Sequence, residues 1–410
     1  MSIFGNMKEP PEESNCVPSN INRRNFGKLV LAGAMGGKAL LSSSVSEARE
    51  YVSGQKPNPS NIRLGLLTPA NPNEDELTWI KQLGVKDVCV WTGWRPTPRT
   101  KEKPHSVPFG RGETYENFLR IRKTYENAGI KVVLIGNSSV HNMEEVTLNL
   151  PGRDEKIEEY LTYLRNLGRA GVHQTTYAHM ANGIWRTEFE KTRGGARALS
   201  LDLKLADEGK ASFGSFMDFI PKDLTTPTHG RVYSEDEIWE NYTYFIKKVV
   251  PVAEEENIRI GIHPDDPPVP VLGGIPRCIF GNFEGYKRAM EIADSPNVGL
   301  CLCVGTWLSG GDLMGKDIIE TIHYFGKLNK IFKIHLRNVD QPVPHFMETF
   351  VDNGYMDMYK VMKALVEVNN NTFVVDGHIP GMVGGRRMTS AFHMGYMRAL
   401  LERANEEVQS

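Results

Sequence analysis

Two histidines, one cysteine and one aspartate stand at the ends of four successive apolar runs in the second half of the sequence: His263, Cys303, His335 and Asp376. Imidazole, thiolate and carboxylate groups are ligands of divalent transition metals, and an open coordination position on such an ion can take a substrate. Each residue alone has an ordinary alternative, since His335 could be a satisfied core histidine and Cys303 a small core residue. Their repetition at four successive strand ends predicts a metal site.

The run over residues 261–268 indicates where this chemistry lies in the fold. A strand-like segment ends at His263 and is followed by Asp265, Asp266 and prolines, which prevent the strand from continuing. These carboxylates should therefore lie in a loop at the carboxyl end of a strand, where α/β barrels keep their active sites.

Arg337 follows His335 by two residues and is expected on the same side of its strand. Its guanidinium could hold a substrate carboxylate, or it could form a salt bridge to Asp265, Asp266 or Glu348. Other residues expected near the rim, as candidates for substrate binding, are His141, His179, Trp185 and Asp265.

The elements that must position these residues alternate regularly along the chain. Strands are predicted over 62–67, 87–92, 131–136, 174–179, 259–263, 298–304, 332–336 and 372–376. Amphipathic helices are predicted over 73–83, 115–128, 154–169, 234–256, 282–293, 311–327, 356–368 and 390–405. Eight strands alternating with helices predict an α/β fold, a (β/α)8 TIM barrel in a single domain over 62–410. Residues 181–233 form an insertion after the fourth strand, which is a candidate lid or oligomer contact.

The bulk composition narrows the class of partner. With 48 basic and 50 acidic residues and 40% hydrophobic content, the chain reads as globular, and it lacks the basic excess that nucleic-acid binding requires. The five cysteines suggest no disulfide framework. We expect a small-molecule partner, with a homo-oligomer possible.

The N-terminal segment has the pattern of an export signal. Arg23 and Arg24 precede an apolar stretch over 29–41, and small residues surround Ala48. This pattern predicts a twin-arginine signal peptide over 1–48, a linker over 49–61 and a periplasmic product. The stretch is too short to span a membrane, so no stable insertion is expected. The alternative is a cytoplasmic protein with a basic N-terminal extension.

Several motifs resemble, in order, those of the mannonate dehydratase family. They are His263-Pro264-Asp265-Asp266-Pro267-Pro268, Cys303-Val304-Gly305-Thr306, His335-Leu336-Arg337, Asn353-Gly354-Tyr355-Met356-Asp357-Met358-Tyr359 and Val375-Asp376-Gly377-His378. The resemblance implies a xylose-isomerase-like barrel and an Mn²⁺ or Fe²⁺ ion held by His263, Cys303, His335 and Asp376. It also implies conversion of D-mannonate to 2-dehydro-3-deoxy-D-gluconate, with Arg337 holding the acid group.

The chain departs from the family where proton transfer is expected. The family has a histidine directly after the metal-binding aspartate and a tyrosine further on, whereas here Gly377 follows Asp376 and no tyrosine stands in the matching place. The candidate catalytic residues are therefore His378, His393 and Arg337. A metal-dependent isomerase, epimerase or keto-sugar eliminase on the same barrel remains an alternative, and a non-catalytic carbohydrate-binding barrel is a further one.

Overall fold

Alternating strands and helices follow one another through the protein. The structure, a computed structural model, describes residues 58–92, 112–136, 138–210, 224–377 and 379–409. The strands in these ranges are β1 (Arg63–Pro69), β2 (Asp87–Trp91), β3 (Lys131–Gly136), β4 (Gln174–Ala178), β5 (Glu188–Lys191), β6 (Arg197–Asp202), β7 (Arg259–His263), β8 (Val271–Leu272), β9 (Ile275–Pro276), β10 (Val298–Cys303), β11 (Ile331–Leu336), β12 (Asn338–Val339), β13 (His345–Thr349) and β14 (Phe373–Asp376).

The helices surround these strands. They are α1 (Glu74–Gln82), α2 (Tyr115–Asn127), α3 (Glu144–Thr147), α4 (Arg153–Arg169), α5 (Leu203–Asp207), α6 (Glu235–Glu255), α7 (Phe283–Ala293), α8 (Val304–Gly310), α9 (Ile318–Lys327), α10 (Met358–Val368) and α11 (Arg386–Gln409). Several begin at polar caps. Ser234 and Glu237, for example, form a capping box that starts α6. In the described part of the chain, no helix is long and apolar enough to cross a membrane.

Eight of the strands form a parallel sheet in the order β3-β2-β1-β14-β11-β10-β7-β4. The two end strands approach each other, because the Thr175 hydroxyl of β4 donates a hydrogen bond to the Ile135 carbonyl of β3 at 2.8 Å. The sheet is therefore a nearly closed barrel. The predicted (β/α)8 barrel is confirmed.

The barrel strands are apolar because helices cover one face and the lumen covers the other. All six residues of β10 are buried, which is typical of parallel strands with both faces covered. The predicted strand over 298–304 is one residue too long, because the observed strand ends at Cys303 and helix α8 begins at Val304. The predicted helix over 311–327 starts only at Ile318, because Gly311 and Gly315 adopt left-handed conformations that interrupt it.

Part of the insertion after β4 is an ordered β-structure. Strands β5 and β6 form a hairpin, and β6 pairs with β13, giving a second sheet in the order β12-β13-β6-β5. The insertion is therefore attached to the segment that follows β11. Residues 1–57, which carry the predicted signal peptide and most of the predicted linker, lie outside the described residues.

Candidate metal centre and active site

Three of the four predicted metal ligands converge at the carboxyl rim of the barrel. One ligand atom from each of His263, Cys303 and His335 lies within 4.8 Å of the other two. Cys303 of β10 is in register with His335 of β11, and His263 ends β7 on the other side of β10. Because parallel strands present their carboxyl ends at one edge, three separate segments place their side chains together.

The histidine at the end of β7 is oriented for metal binding. His263 Nδ1 lies 2.7 Å from the carbonyl oxygen of Pro264. Since a carbonyl can only accept, the proton stays on Nδ1 and Nε2 keeps its lone pair. Such a hydrogen bond commonly sets the tautomer of a metal-binding histidine.

The thiol of Cys303 is prepared to ionise. Burial alone would raise its pKa, but the positive charge of Arg337 and the neighbouring His263 lower the pKa of Cys303 to about 6. A thiolate is the form that binds metal, and it predominates above that pH. Two imidazoles and a thiolate with this geometry fit a divalent transition ion.

Asp376, the fourth predicted ligand, is not in this group of three. One carboxylate oxygen accepts a hydrogen bond from the Leu67 amide at 3.2 Å, and the other accepts one from the Ser390 hydroxyl at 2.7 Å. Burial raises the pKa of Asp376. The residue ends β14 beside β11, and it lines a neighbouring cavity of about 510 Å³.

Four buried charged residues form a network beside the cysteine. Arg186 donates to both carboxylate oxygens of Asp266 at 2.8 Å and to Glu348 at 3.2 Å. Arg337 Nη1 donates to Asp266 at 3.4 Å and to Glu348 at 3.3 Å, while its Nη2 donates to Thr306 at 3.3 Å. The salt-bridge alternative for Arg337 is thus confirmed, and both terminal nitrogens of this side chain are engaged within the protein.

Two glycines let the Arg337 side chain reach this network. A Cβ atom at Gly305 would lie 2.1 Å from Arg337 Nε, and one at Gly377 would lie 2.9 Å from Arg337 Cβ. Both approaches are too close for a side chain without movement. The glycine that follows Asp376 therefore belongs to the packing around Arg337.

A cavity of about 120 Å³ opens above the three metal-ligand candidates. The residues that line it are Leu67, Trp91, His141, Thr176, Met180, Ile184, His263, Asp266, Cys301, Cys303, Lys333, His335, Arg337 and Gly377. His141 thus lies where the sequence predicted it. Its Nδ1 donates to the Thr176 carbonyl at 3.1 Å, and burial lowers the pKa of His141 to about 3, so the ring is neutral.

His179 lies outside this cavity, contrary to the expectation that it binds substrate. Its Nδ1 is 3.0 Å from the Tyr177 hydroxyl, and its ring packs against those of Tyr242, Phe245 and Phe280. Successive residues of a strand point to opposite faces. Because Thr176 lines the cavity, His179 lies on the opposite face, towards the helices.

Three other predicted residues are also buried away from the cavity lining. The Trp185 indole donates to the Asn182 carbonyl at 2.9 Å. Asp265 lies beside Asp266 without lining the cavity, and burial raises the pKa of Asp265 to about 6. His393 is 1% exposed, and burial lowers its pKa to about 4. His378 lies outside the described residues.

Comparison with known proteins identifies the family. The family model described as D-mannonate dehydratase (UxuA) matches residues 71–403, which covers almost the whole barrel. The chain belongs to the D-mannonate dehydratase family. The resemblance of its motifs is therefore confirmed.

Relatives and solved structures agree with this assignment. The mannonate dehydratase of Thermotoga maritima is 32% identical over 292 residues, covering 66% of this chain and 79% of the relative. The crystal structure of mannonate dehydratase from Streptococcus suis serotype 2 superposes with a TM-score of 0.70 at 26% identity, covering 86% and 95% of the two chains. A xylose isomerase domain protein from Planctomyces limnophilus, with a TM-score of 0.52 at 12% identity and coverage of 86% and 99%, shows the fold alone.

Two buried cations at the site escaped the sequence analysis. Arg186 was not singled out, although the adjacent acids Asp265 and Asp266 indicated a need for buried cations. Lys333 also lines the cavity, and its position two residues before His335 was sufficient to place it on the same face of β11.

Proposed function

We propose that this protein is a metal-dependent hydro-lyase that converts D-mannonate to 2-dehydro-3-deoxy-D-gluconate and water. The observation that carries this proposal is the cluster of His263, Cys303 and His335 beneath a cavity in a member of this family. The proposed ion is Mn²⁺ or Fe²⁺, as the family resemblance implies, and two imidazoles with a thiolate fit a divalent transition ion.

The reaction breaks two bonds of the substrate. A base takes the proton from carbon 2, the electron pair forms a carbon–carbon double bond, and hydroxide leaves carbon 3 and is protonated to water. The enol then gains a proton at carbon 3 and loses the proton of its oxygen on carbon 2, which gives the 2-keto acid. When bound, a divalent ion would supply a Lewis acid that makes the carbon 2 proton easier to remove.

Other residues around the cavity have proposed roles in binding the substrate, in keeping the cysteine ionised and in restricting water. Neutral His141 has an unprotonated Nε2, which suits it to accept a hydrogen bond from a substrate hydroxyl. Asp266 and Glu348 hold Arg337 in place, and the positive charge of Arg337 favours the thiolate of Cys303. Met180 and Ile184 supply apolar walls that restrict water.

We assign proton transfer to His378. It directly follows Gly377, which lines the cavity, whereas His393 is buried away from the lining. The ordinary pKa of the histidine side chain lies near neutral pH, which suits this residue type to exchange protons.

We also propose export by the twin-arginine route to the periplasm. Arg23 and Arg24 followed by the apolar stretch over 29–41 support this location. A route that carries folded proteins would allow the ion to be inserted before export.

A substrate panel tests the activity. Full-length protein loaded with Mn²⁺, and separately with Fe²⁺ without air, is incubated with D-mannonate, D-fructose or D-tagatose. Formation of a 2-keto-3-deoxy acid from D-mannonate alone supports the proposal. Conversion of only the ketohexoses would instead show an isomerase or epimerase on this barrel.

A further inference from the structure

Lys333 is a buried cation that faces the cavity and that the proposed chemistry leaves unused. Its side chain is 1% exposed, and it lines the same cavity as His335 and Arg337. Lys333 and His335 lie on one face of β11, and Arg337 directly follows this strand. A strand rises about 3.3 Å per residue, so the Cα atoms of Lys333 and His335 are about 6.6 Å apart. The flexible four-carbon stem of a lysine can cover that distance.

Among the described residues, no carboxylate forms an ion pair with the ammonium group of Lys333. Its Nζ donates to Cys89 Sγ at 3.4 Å. Burial raises the pKa of Cys89, so this thiol is a neutral partner. The negative charge of Asp376 attracts Lys333 electrostatically without a hydrogen bond between the two side chains. The carboxylate oxygens of Asp376 instead accept hydrogen bonds from the Leu67 amide and the Ser390 hydroxyl.

The other cation of the cavity is balanced. Arg337 is paired with Asp266 and Glu348 inside the protein. A buried charge without a partner is costly, so such a group is usually neutralised by a second charge or by a ligand. Among the described residues that line the cavity, Lys333 is therefore the cation without a carboxylate in contact.

We propose that Lys333 binds the carboxylate of the substrate, the role that the sequence suggested for Arg337. This inference rests on the proposed function, because it takes the ligand to be a sugar acid. A charged hydrogen bond from Nζ to a carboxylate oxygen would pair the ammonium group and discriminate acids from neutral sugars of the same size.

The test compares Lys333→Met, which keeps the length of the side chain and removes its charge, with Lys360→Met, an exposed lysine on α10. Both variants and the full-length wild type are loaded with Mn²⁺, and their metal content is measured. Binding of the product 2-dehydro-3-deoxy-D-gluconate and of neutral D-mannitol is measured by calorimetry, and KM and kcat are measured with D-mannonate.

Lys333→Met should retain its metal, weaken binding of the acid by roughly 10- to 100-fold and raise KM similarly. Its binding of D-mannitol and the behaviour of Lys360→Met should match wild type. Unchanged acid binding, equal weakening for D-mannitol, or loss of metal would overturn the assignment.

Two further results keep this inference separate from the proposed function. If the wild type does not turn over D-mannonate, the dehydratase activity is refuted, and D-mannonate itself becomes the calorimetric ligand for the same comparison. If Lys333→Met does not fold, a crystal structure of the wild type with the product decides. A carboxylate oxygen within about 3.2 Å of Lys333 Nζ supports the inference, and a carboxylate bound elsewhere overturns it.

Discussion

Arg186 and Asp266 form a buried bidentate ion pair, with each terminal nitrogen of the arginine 2.8 Å from one carboxylate oxygen. Arg186 belongs to the segment after β4, whereas Asp266 follows His263 at the end of β7. The pair therefore holds two active-site loops together. The two arginines that face Asp266 keep its pKa far below the ordinary range, although burial acts in the opposite direction.

Breaking this pair should be far more costly than breaking an equivalent pair at the surface. Asp266→Asn leaves Arg186 buried and undercompensated, and we expect a loss of about 3–5 kcal/mol in the free energy of unfolding. Asp352→Asn is the matched control, because Arg193 binds Asp352 in the same bidentate manner with its side chain 47% exposed. The control should lose at most about 1 kcal/mol. Urea unfolding measures both variants, and equal losses would contradict the role of burial.

Replacing the central ligand should remove the metal. Cys303→Ser eliminates the thiolate of the three-residue cluster, so we expect metal affinity to fall by more than the roughly 10- to 100-fold that changes outside the ligand set cause. Cys278→Ser is the control, because Cys278 lines a separate pocket beside α7. Metal content after dialysis is the measurement. A Cys303→Ser protein that holds a full equivalent of Mn²⁺ would exclude Cys303 from the site.

Metal affinity should depend on pH through the same thiol. The pKa of Cys303 is about 6, because Arg337 and His263 outweigh the effect of burial. Above this pH the thiolate is already present, whereas below it a proton must be displaced. We therefore expect the apparent affinity to fall at least about tenfold per pH unit below pH 6. Titration against a competing chelator measures this slope, and an affinity that is constant from pH 7 to pH 5 would contradict it.

His179 should affect stability in acid and leave catalysis unchanged. Burial lowers its pKa from 6.5 to about 3, so the unfolded chain binds a proton that the folded protein does not bind. Its contribution is fully favourable above pH 6.5 and is lost as the pH falls towards 3. His179→Phe, which suits the surrounding aromatic rings, should reduce this loss while kcat/KM stays at the wild-type value. A large fall in kcat/KM would contradict this prediction and would indicate that His179 contributes to the substrate site.

The barrel could be predicted because the signals for it are local. Most barrel strands are short, largely buried apolar runs, such as β3 and β10, and each is separated from the next by an amphipathic pattern or a turn. The convergence of His263, Cys303 and His335 follows from the same pattern, since the carboxyl ends of parallel strands share one rim.

Other parts of the site depend on contacts that no local pattern contains. The network of Arg186 with Glu348 requires β6 of the insertion to pair with β13, a contact between segments about 150 residues apart in the chain. His179 was expected in the substrate site because the sequence does not show which face of β4 points inward. Once Thr176 is known to line the cavity, the alternation of side chains along the strand places His179 on the opposite face.

The most direct test follows the reaction of D-mannonate by NMR with full-length protein, first stripped of metal and then supplied with one equivalent of Mn²⁺. The account predicts that 2-dehydro-3-deoxy-D-gluconate forms only after the metal is added. Unchanged D-mannonate in the presence of bound metal, or its conversion to an epimer without loss of water, would contradict the proposal that this protein is a dehydratase.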